Sequence, residues 1–308
     1  MPRHLLRLTG LLLGLVCLGW IFWRFAEGGV LQALLHAPER GIVAWRTLAA
    51  VPVYTLGLCF VGFAWVAIQS SLVPARLPKK RLFAVYATSQ FAKYLPGNVG
   101  HFVTRHVLLR RLGLGHAALL AGTLIEAGML VVAAALLATG ALPAFAPGWS
   151  GRVVAAAIVV VVAISLQVAF AFHRRPEWHR WLPMHRPGYL LVAWPLQGVY
   201  FGIMALALML PATALPLPSS MWLALPATVA ASWIAGYLVV GAPAGIGVRE
   251  FVFLVLLKGH LPEGDILLLA AAFRVITFGG DCLLLLVGVV MGGTRTAIAA
   301  DTGPVVPV

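Results

Sequence analysis

The chain has 308 residues, of which 61% are hydrophobic and 10% are charged, and its mean hydropathy is +0.97. Sequences this apolar are integral membrane proteins, so the composition argues against a soluble enzyme and predicts an all-α protein that crosses the membrane several times. The formal net charge of +13 belongs mainly to loops that face anionic lipid headgroups, and no nucleic-acid partner is expected.

Six apolar stretches are long enough to predict six membrane-spanning helices. The first follows Arg3 and Arg7, but no small-x-small cleavage site comes after it, so we expect an uncleaved span rather than a signal peptide. If the spans alternate in direction, the clusters of Lys and Arg fall on one side, which predicts cytoplasmic termini and a short cytoplasmic tail over 293–308. In chain order the predicted spans are 11–25, 48–73, 117–142, 153–172, 190–210 and 266–291.

Two further apolar stretches, 82–111 and 221–257, are interrupted near their middle. The first break reads KYLPGNVG over residues 93–100, and the second break reads PAGIGVRE over residues 243–250. Proline removes a backbone donor and glycine permits a sharp reversal, so we predict two re-entrant helical hairpins whose breaks face each other around a polar site. The alternative is a pair of packing kinks that bind no ligand. The residues that make these structural breaks are Pro96, Gly97 and Pro243.

The two breaks also indicate an internal repeat. Pro96 and Pro243 are 147 positions apart, which is about half of the chain. Each half has the order span, span, broken hairpin, span, and the second half begins from the opposite side because three spans precede it. We therefore predict one transmembrane domain over 1–308, with inverted-topology repeats at about 8–142 and 152–292 and a polar site where they meet. A chance likeness of two apolar sequences is the alternative.

Half-helices that begin inside the protein expose unpaired N–H groups and a partial positive charge, which suit a phosphate or a carboxylate. Arginine suits phosphate because its guanidinium gives multidentate hydrogen bonds and keeps its charge when dehydrated. For Arg249 the alternative is a salt bridge with Glu250 or another acid. For Arg105, Arg110 and Arg111 the pattern favours an anchor at the headgroup level. The candidate substrate-binding residues are Lys93, Asn98, Gly100, Arg105, Gly245, Gly247 and Arg249.

Several ionisable residues lie within or beside apparent helices, where an unpaired charge costs roughly 3 kcal/mol on insertion scales, so ion pairs are expected. Position 126 plus the offset of 147 gives 273, so Glu126 and Arg274 occupy near-equivalent places and could pair across the interface. The acids could instead carry a coupling proton, because burial can raise a carboxyl pKa. The residues assigned to charge balance or proton coupling are Glu126, Glu250, Arg274 and Asp281.

Metal binding and catalysis are not predicted. His101, His106 and His116 are spaced by five and ten residues, which does not place a pair and a carboxylate on one helical face, so no metal or other cofactor is expected. The chain has no Ser/His pair in a convincing context. The loop 172–187, rich in Trp and Arg, is most simply an interfacial anchor. Alternatively it docks a partner enzyme that modifies lipids.

The two breaks carry a resemblance to a known family. The runs at 93–100 and 243–250, with Arg105, a Leu-Leu-Arg-Arg run and Glu126 between them, resemble the paired signatures of the lysylphosphatidylglycerol synthase transmembrane region, a flippase-like family. The resemblance implies a multi-pass protein of the bacterial inner membrane that moves lipids between leaflets. The full-length family enzyme also has a cytoplasmic aminoacyl-transferase domain, which this chain is expected to lack, so the lysyl-lipid substrate does not follow from the resemblance.

Taken together, the residues and the resemblance predict a lipid translocase rather than an enzyme. Its substrate would be a lipid with a phosphate headgroup: an anionic or aminoacylated phospholipid, or a polyprenyl-phosphate-linked sugar. The headgroup would enter between the two broken hairpins, and rocking of one repeat against the other would give alternating access. The main alternative is a membrane scaffold or accessory subunit of a glycosyltransferase or lipid-modifying enzyme. An intramembrane transferase would need Glu126 or Glu250 as its acid or base.

Overall fold

The structure is a computed structural model, and within the residues it describes the chain is helical, with eight α-helices and no β-strand. The predicted spans 11–25 and 153–172 and both termini lie outside the described residues, as do Pro96, Gly97 and Asn98. The described residues are 40–73, 78–95, 99–139, 184–219, 221–239 and 243–292.

Two short 3₁₀ turns mark the two breaks: Phe91–Tyr94 overlaps the start of the first, and Pro243–Gly245 lies within the second. The first turn follows a short helix, and each turn is followed by another, so the helix is interrupted where the sequence predicts it. The α-helices are α1 (Arg40–Leu72), α2 (Lys79–Gln90), α3 (Gly100–Arg110), α4 (His116–Thr139), α5 (Gly188–Ala212), α6 (Met221–Leu238), α7 (Val248–Leu257) and α8 (Glu263–Val290).

Five of these helices, α1, α4, α5, α6 and α8, are long and apolar enough to cross a membrane. Four of them coincide with the predicted spans 48–73, 117–142, 190–210 and 266–291, because an unbroken apolar run of this length favours a helix in hydrocarbon. The fifth, α6, was predicted as one arm of a re-entrant hairpin. Its 18 residues extend about 27 Å, close to the thickness of the hydrocarbon core, so its length and composition permit a full span instead.

The remaining helices, α2, α3 and α7, have 12, 11 and 10 residues. At 1.5 Å per residue they are about 15 to 18 Å long, so none of them reaches across a core of about 30 Å. Short helices that meet at a broken segment agree with the predicted hairpins, although whether they enter and leave on one side stays a prediction.

The order of elements repeats along the described chain. Helices α1 and α5 begin 148 residues apart, α2 and α6 begin 142 apart, α3 and α7 begin 148 apart, and α4 and α8 begin 147 apart. These offsets agree with the 147-residue spacing of the two prolines. The opposite orientation of the two halves in the membrane remains a prediction.

The helices pack closely where glycines lie on their contact faces. Helix α1 lies along α5, and α8 packs against both α1 and α2. A Cβ atom at Gly279 of α8 would lie 3.1 Å from the side chain of Val51, and a Cβ at Gly288 would lie 2.8 Å from Ala87. Backbones without side chains at these positions come near enough for the van der Waals contacts that hold helices together in a membrane.

The two breaks contact each other. Tyr94 of the first break and Ala244 of the second belong to one buried cluster, against which Phe91, Ile246 and Phe278 pack. The Tyr94 and Phe278 rings meet edge to face, with centroids 5.4 Å apart. The predicted juxtaposition of the two breaks is therefore present, and α8 supplies the aromatic ring between them.

Candidate functional site

A cavity of about 60 Å³ lies beside the paired breaks, and residues of both halves line it. One water molecule needs about 10–15 Å³ of such space, so the cavity has room for a few waters or one small anionic group. Charged, polar and aromatic side chains dominate its wall. These include Tyr86, Gln90, Lys93, His101, Phe102, Arg105, Glu126, Tyr200, Trp233, Tyr237 and Arg249.

Arg105 of α3 forms a buried ion pair with Glu126 of α4. One guanidinium nitrogen donates to both carboxylate oxygens at 2.9 and 2.7 Å, and Nε donates to the Ser89 hydroxyl at 3.1 Å. The guanidinium also lies over the Tyr86 ring, 4.3 Å from its centroid. With only 4% of Arg105 exposed, the prediction of an anchor at the headgroup level is wrong for this residue, because its charge is neutralised inside the protein.

Arg274 of α8 pairs with Glu250 of α7, so the predicted pairing of Arg274 with Glu126 is wrong. Arg274 also donates to the backbone carbonyl oxygens of Ala244 at 2.9 Å and Gly245 at 2.6 Å. These carbonyls lie where the helix is interrupted and lack the partners that a continuous helix supplies. Arg274 therefore stabilises the second break by satisfying its backbone as well as by pairing with its acid.

The amino terminus of α7 already holds an anion from the protein itself. The Gly247 N–H donates to Glu250 Oε2 at 2.8 Å, and Glu250 belongs to the first turn of α7. The prediction that the Gly247 N–H binds a substrate phosphate is therefore wrong, since an internal carboxylate occupies that position. A carboxylate in the first turn is favourable because it faces the positive end of the helix dipole.

Asp281 of α8 holds the first break. It accepts hydrogen bonds from Lys93 Nζ at 2.8 Å and from the Tyr94 hydroxyl at 2.7 Å, and none of its side chain is exposed. Lys93 lines the cavity and Asp281 lies behind it. Asp281 thus neutralises one of the predicted binding cations across the interface between the two halves.

Arg249 differs from the other basic residues of the cavity wall. It takes part in none of the three ion pairs of the described residues, and within them its buried Nε has no hydrogen-bond acceptor. Its electrostatic neighbours are Arg274, a like charge that is itself paired with Glu250, and the uncharged tyrosines Tyr54, Tyr200 and Tyr94. The alternative of an Arg249 pair with Glu250 is wrong, because Glu250 is bound to Arg274.

Two glycines, Gly236 and Gly245, leave the space that the Arg249 side chain occupies. A Cβ at Gly236 of α6 would lie 2.8 Å from Arg249 Nε, and one at Gly245 would lie 2.7 Å from the Gly236 Cα. Gly245 also has a positive φ of 69°, which favours glycine. At Gly100 the added carbon would collide with the Ala92 carbonyl oxygen, so this glycine permits close packing of α3 on the first break.

Sequence analysis missed several residues of the site. Gly236 lies inside an apolar helix, Ser89 and Tyr86 belong to no motif, and Tyr94 lies in the first break but was given no role. The sequence offered one usable signal that a single helix face contributes to the site. Arg274 and Asp281 are seven residues apart, and residues seven apart share one helix face.

The three histidines do not converge on a metal site. Among the described residues no group of three or more His, Cys, Asp or Glu side chains is arranged to hold a metal ion. His106 and His116 hydrogen-bond to each other at 2.8 Å on the exposed surface, whereas His101 lines the cavity.

Comparison with known families agrees with the paired breaks. The model of the lysylphosphatidylglycerol synthase TM region matches residues 7–288, a range that includes both breaks and every helix start described above. The chain belongs to this family. No curated protein matches the chain.

Membership in the lysylphosphatidylglycerol synthase TM family confirms the resemblance that the two breaks carry. Together with the five long apolar helices, it makes the chain a multi-pass membrane protein of a family connected with membrane lipids. The match extends over both halves, so the cavity is built entirely within the part of the chain that defines the family.

Proposed function

We propose that the chain is a lipid translocase, which moves a lipid with a phosphate-bearing headgroup between the leaflets of the bacterial inner membrane. The observation that carries this proposal is Arg249, a cation in the cavity wall that has no acidic partner within the described residues. A charge kept unpaired inside a membrane protein is costly, so it is expected where a charged ligand compensates it.

The size of the cavity supports a transport path for the headgroup alone. About 60 Å³ accommodates a phosphate group, and in this proposal the acyl or prenyl chains remain in the bilayer while the headgroup passes. The guanidinium of Arg249 would bind the phosphate with multidentate hydrogen bonds. Lys93 and Arg105 also line the cavity, but each already has an acidic partner, so their part would be to orient the headgroup.

The contact between the two breaks supports a mechanism of alternating access. Lys93 and Asp281 join the two halves through a short ion pair, and rocking of the halves would open the cavity to one leaflet at a time. In this proposal both termini are cytoplasmic and the protein performs no covalent chemistry.

The test is translocation of fluorescently labelled phospholipid in proteoliposomes, followed by reductant quenching of the outer leaflet. We expect Arg249→Ala to abolish protein-dependent translocation. Arg249→Lys should lose most of it, because a point charge replaces the planar donor fork. The matched control is Arg111→Ala, which removes the same charge from an exposed position at the end of α3.

Equal loss in the Arg249 and Arg111 variants would contradict the proposal, because it would indicate a general effect of net charge. Full activity in a correctly folded Arg249→Ala would also contradict it. If the wild type moves no phospholipid and no polyprenyl-phosphate lipid, a scaffold for a lipid-modifying enzyme becomes the better explanation.

A further inference from the structure

The charges around the cavity balance with one exception. The ion pairs of Lys93 and Arg105 each contribute no net charge, and the pair of Arg274 lies beside the second break. The structure describes five acidic residues. Three belong to these pairs, and the other two, Glu263 and Asp265, lie in the first turn of α8. With histidine neutral, the described cavity wall together with Asp281, the partner of Lys93 behind it, therefore carries the single positive charge of Arg249.

We infer that the cavity is matched to a phosphate with one negative charge, which is a phosphodiester, and that it discriminates against phosphomonoester and diphosphate lipids. The inference rests on the proposed function and narrows its substrate. In a site from which water is excluded, each charge needs its own counter-charge. The loss of hydration is costly there, and the attraction between opposite charges is stronger than in water. One guanidinium neutralises a phosphodiester completely.

A second negative charge on the ligand would find no free cation in the described wall. Phosphomonoesters carry about −1.5 to −2 charges near neutral pH, and a diphosphate linkage carries at least as much. Lys93 and Arg105 could neutralise such a charge only by leaving Asp281 or Glu126 buried without a partner. Breaking a buried pair in this way is strongly unfavourable, because it leaves an uncompensated buried charge.

The proposed function covers several classes of phosphate-bearing lipid, and the inference divides them by the negative charge at phosphorus. Phospholipids with a diester headgroup and sugars linked to a polyprenyl monophosphate both present one negative charge at phosphorus. Lipids with a terminal phosphate and sugars linked to a polyprenyl diphosphate present more. The cavity should accept the first two classes and reject the last two.

The experiment compares phosphatidylglycerol with phosphatidic acid, both labelled on the same acyl chain, in phosphatidylcholine proteoliposomes with reductant quenching. For the wild type we expect translocation of phosphatidylglycerol to be about tenfold faster or more, a factor that corresponds to about 1.4 kcal/mol. The acyl chains are identical, so the ratio of the two rates reports the phosphate alone.

A variant that adds one positive charge to the wall tests the reason for this preference. Gln90 lines the cavity and is 8% exposed, so Gln90→Lys introduces a cation without breaking an ion pair. We expect the ratio to shift about tenfold toward phosphatidic acid, whereas the neutral control Gln90→Met should keep the ratio of the wild type. Glu126→Gln releases Arg105 and should shift the ratio in the same direction, provided that the variant is monodisperse.

Three results overturn the inference in distinguishable ways. Equal rates for the two lipids in the wild type would overturn charge matching but leave lipid translocation intact. A preference that neither Gln90→Lys nor Glu126→Gln changes would assign the discrimination to shape rather than charge. Translocation of neither lipid by the wild type would overturn the proposed function for phospholipids together with the inference.

Discussion

Arg105 and Arg249 line one cavity, yet their surroundings give them different roles. Arg105 is bound by Glu126 and Ser89 and covered by the Tyr86 ring, so its charge is neutralised without a ligand. Arg249 has no acidic partner within the described residues, and it packs on Gly236. The position of Arg249 thus depends on a residue that has no side chain.

The close approach at Gly236 leads to a prediction for Gly236→Ala. The added methyl group would lie 2.8 Å from Arg249 Nε and 3.1 Å from the Gly245 Cα, so the Arg249 side chain must move. Alanine favours a helix more than glycine, so we expect the protein to fold. Displacement of a binding group by about 1 Å should lower translocation on the order of tenfold to a hundredfold.

Gly198→Ala in α5 is the matched control, since no atom lies within 4 Å of a Cβ at that position. We expect it to retain the translocation rate of the wild type. A Gly236→Ala protein that is as active as Gly198→Ala would show that Arg249 tolerates displacement, and the role assigned to its position would be wrong.

Helix α8 contacts both breaks. Arg274, Phe278 and Asp281 follow one another at spacings of four and three residues and therefore share one face of the helix. Arg274 binds the second break, Asp281 binds the first, and Phe278 packs between them. One rigid element thus determines the relative position of two irregular segments.

Removal of the Arg274 side chain should therefore destabilise the fold rather than only slow transport. Arg274→Met leaves the partly buried Glu250 without its partner and frees the carbonyl oxygens of Ala244 and Gly245. Loss of one partner of a buried pair costs about 3 to 5 kcal/mol, so we expect a clear fall in melting temperature in detergent. Lys258→Met is the control, because Lys258 is exposed at the end of α7. An unchanged melting temperature for Arg274→Met would refute the role of this contact.

At the scale of the whole molecule, the polar site lies where the halves meet. Both halves contribute to the cavity wall, and the contact between the breaks is part of the same interface. A site at such an interface can change its access when the halves move, which a cavity inside one half cannot do as readily.

The predicted topology of the first hairpin can be tested by labelling. In a background without the native cysteines, Lys80→Cys and Arg111→Cys place thiols at the exposed outer ends of α2 and α3. We expect an impermeant maleimide to label both from the same side of the membrane, because neither short helix can cross the hydrocarbon core. Gly264→Cys, at the start of α8, should be labelled from the other side. Labelling of Lys80→Cys and Arg111→Cys from opposite sides would replace the hairpin with a span.

The amino-acid sequence determined the membrane class, four described spans and the location of both breaks. These features depend on local properties: an apolar run of about 20 residues favours a helix in hydrocarbon, and proline with glycine interrupts it. The family followed from the same two runs. The length of α6 shows the limit of this approach. The sequence predicted a hairpin arm there, but the break that follows residue 238 does not reveal whether the preceding helix is long enough to cross the membrane.

The tertiary structure alone decided which charges pair. Glu126 binds Arg105, 21 residues away, and Arg274 binds Glu250, 24 residues away, whereas the repeat offset suggested Glu126 with Arg274. Pairing depends on side-chain distances of about 3 Å, and a weak repeat places residues only to within a helical turn. For the same reason only the tertiary structure shows that Arg249, on which the proposed function depends, has no acidic partner within the described part of the chain.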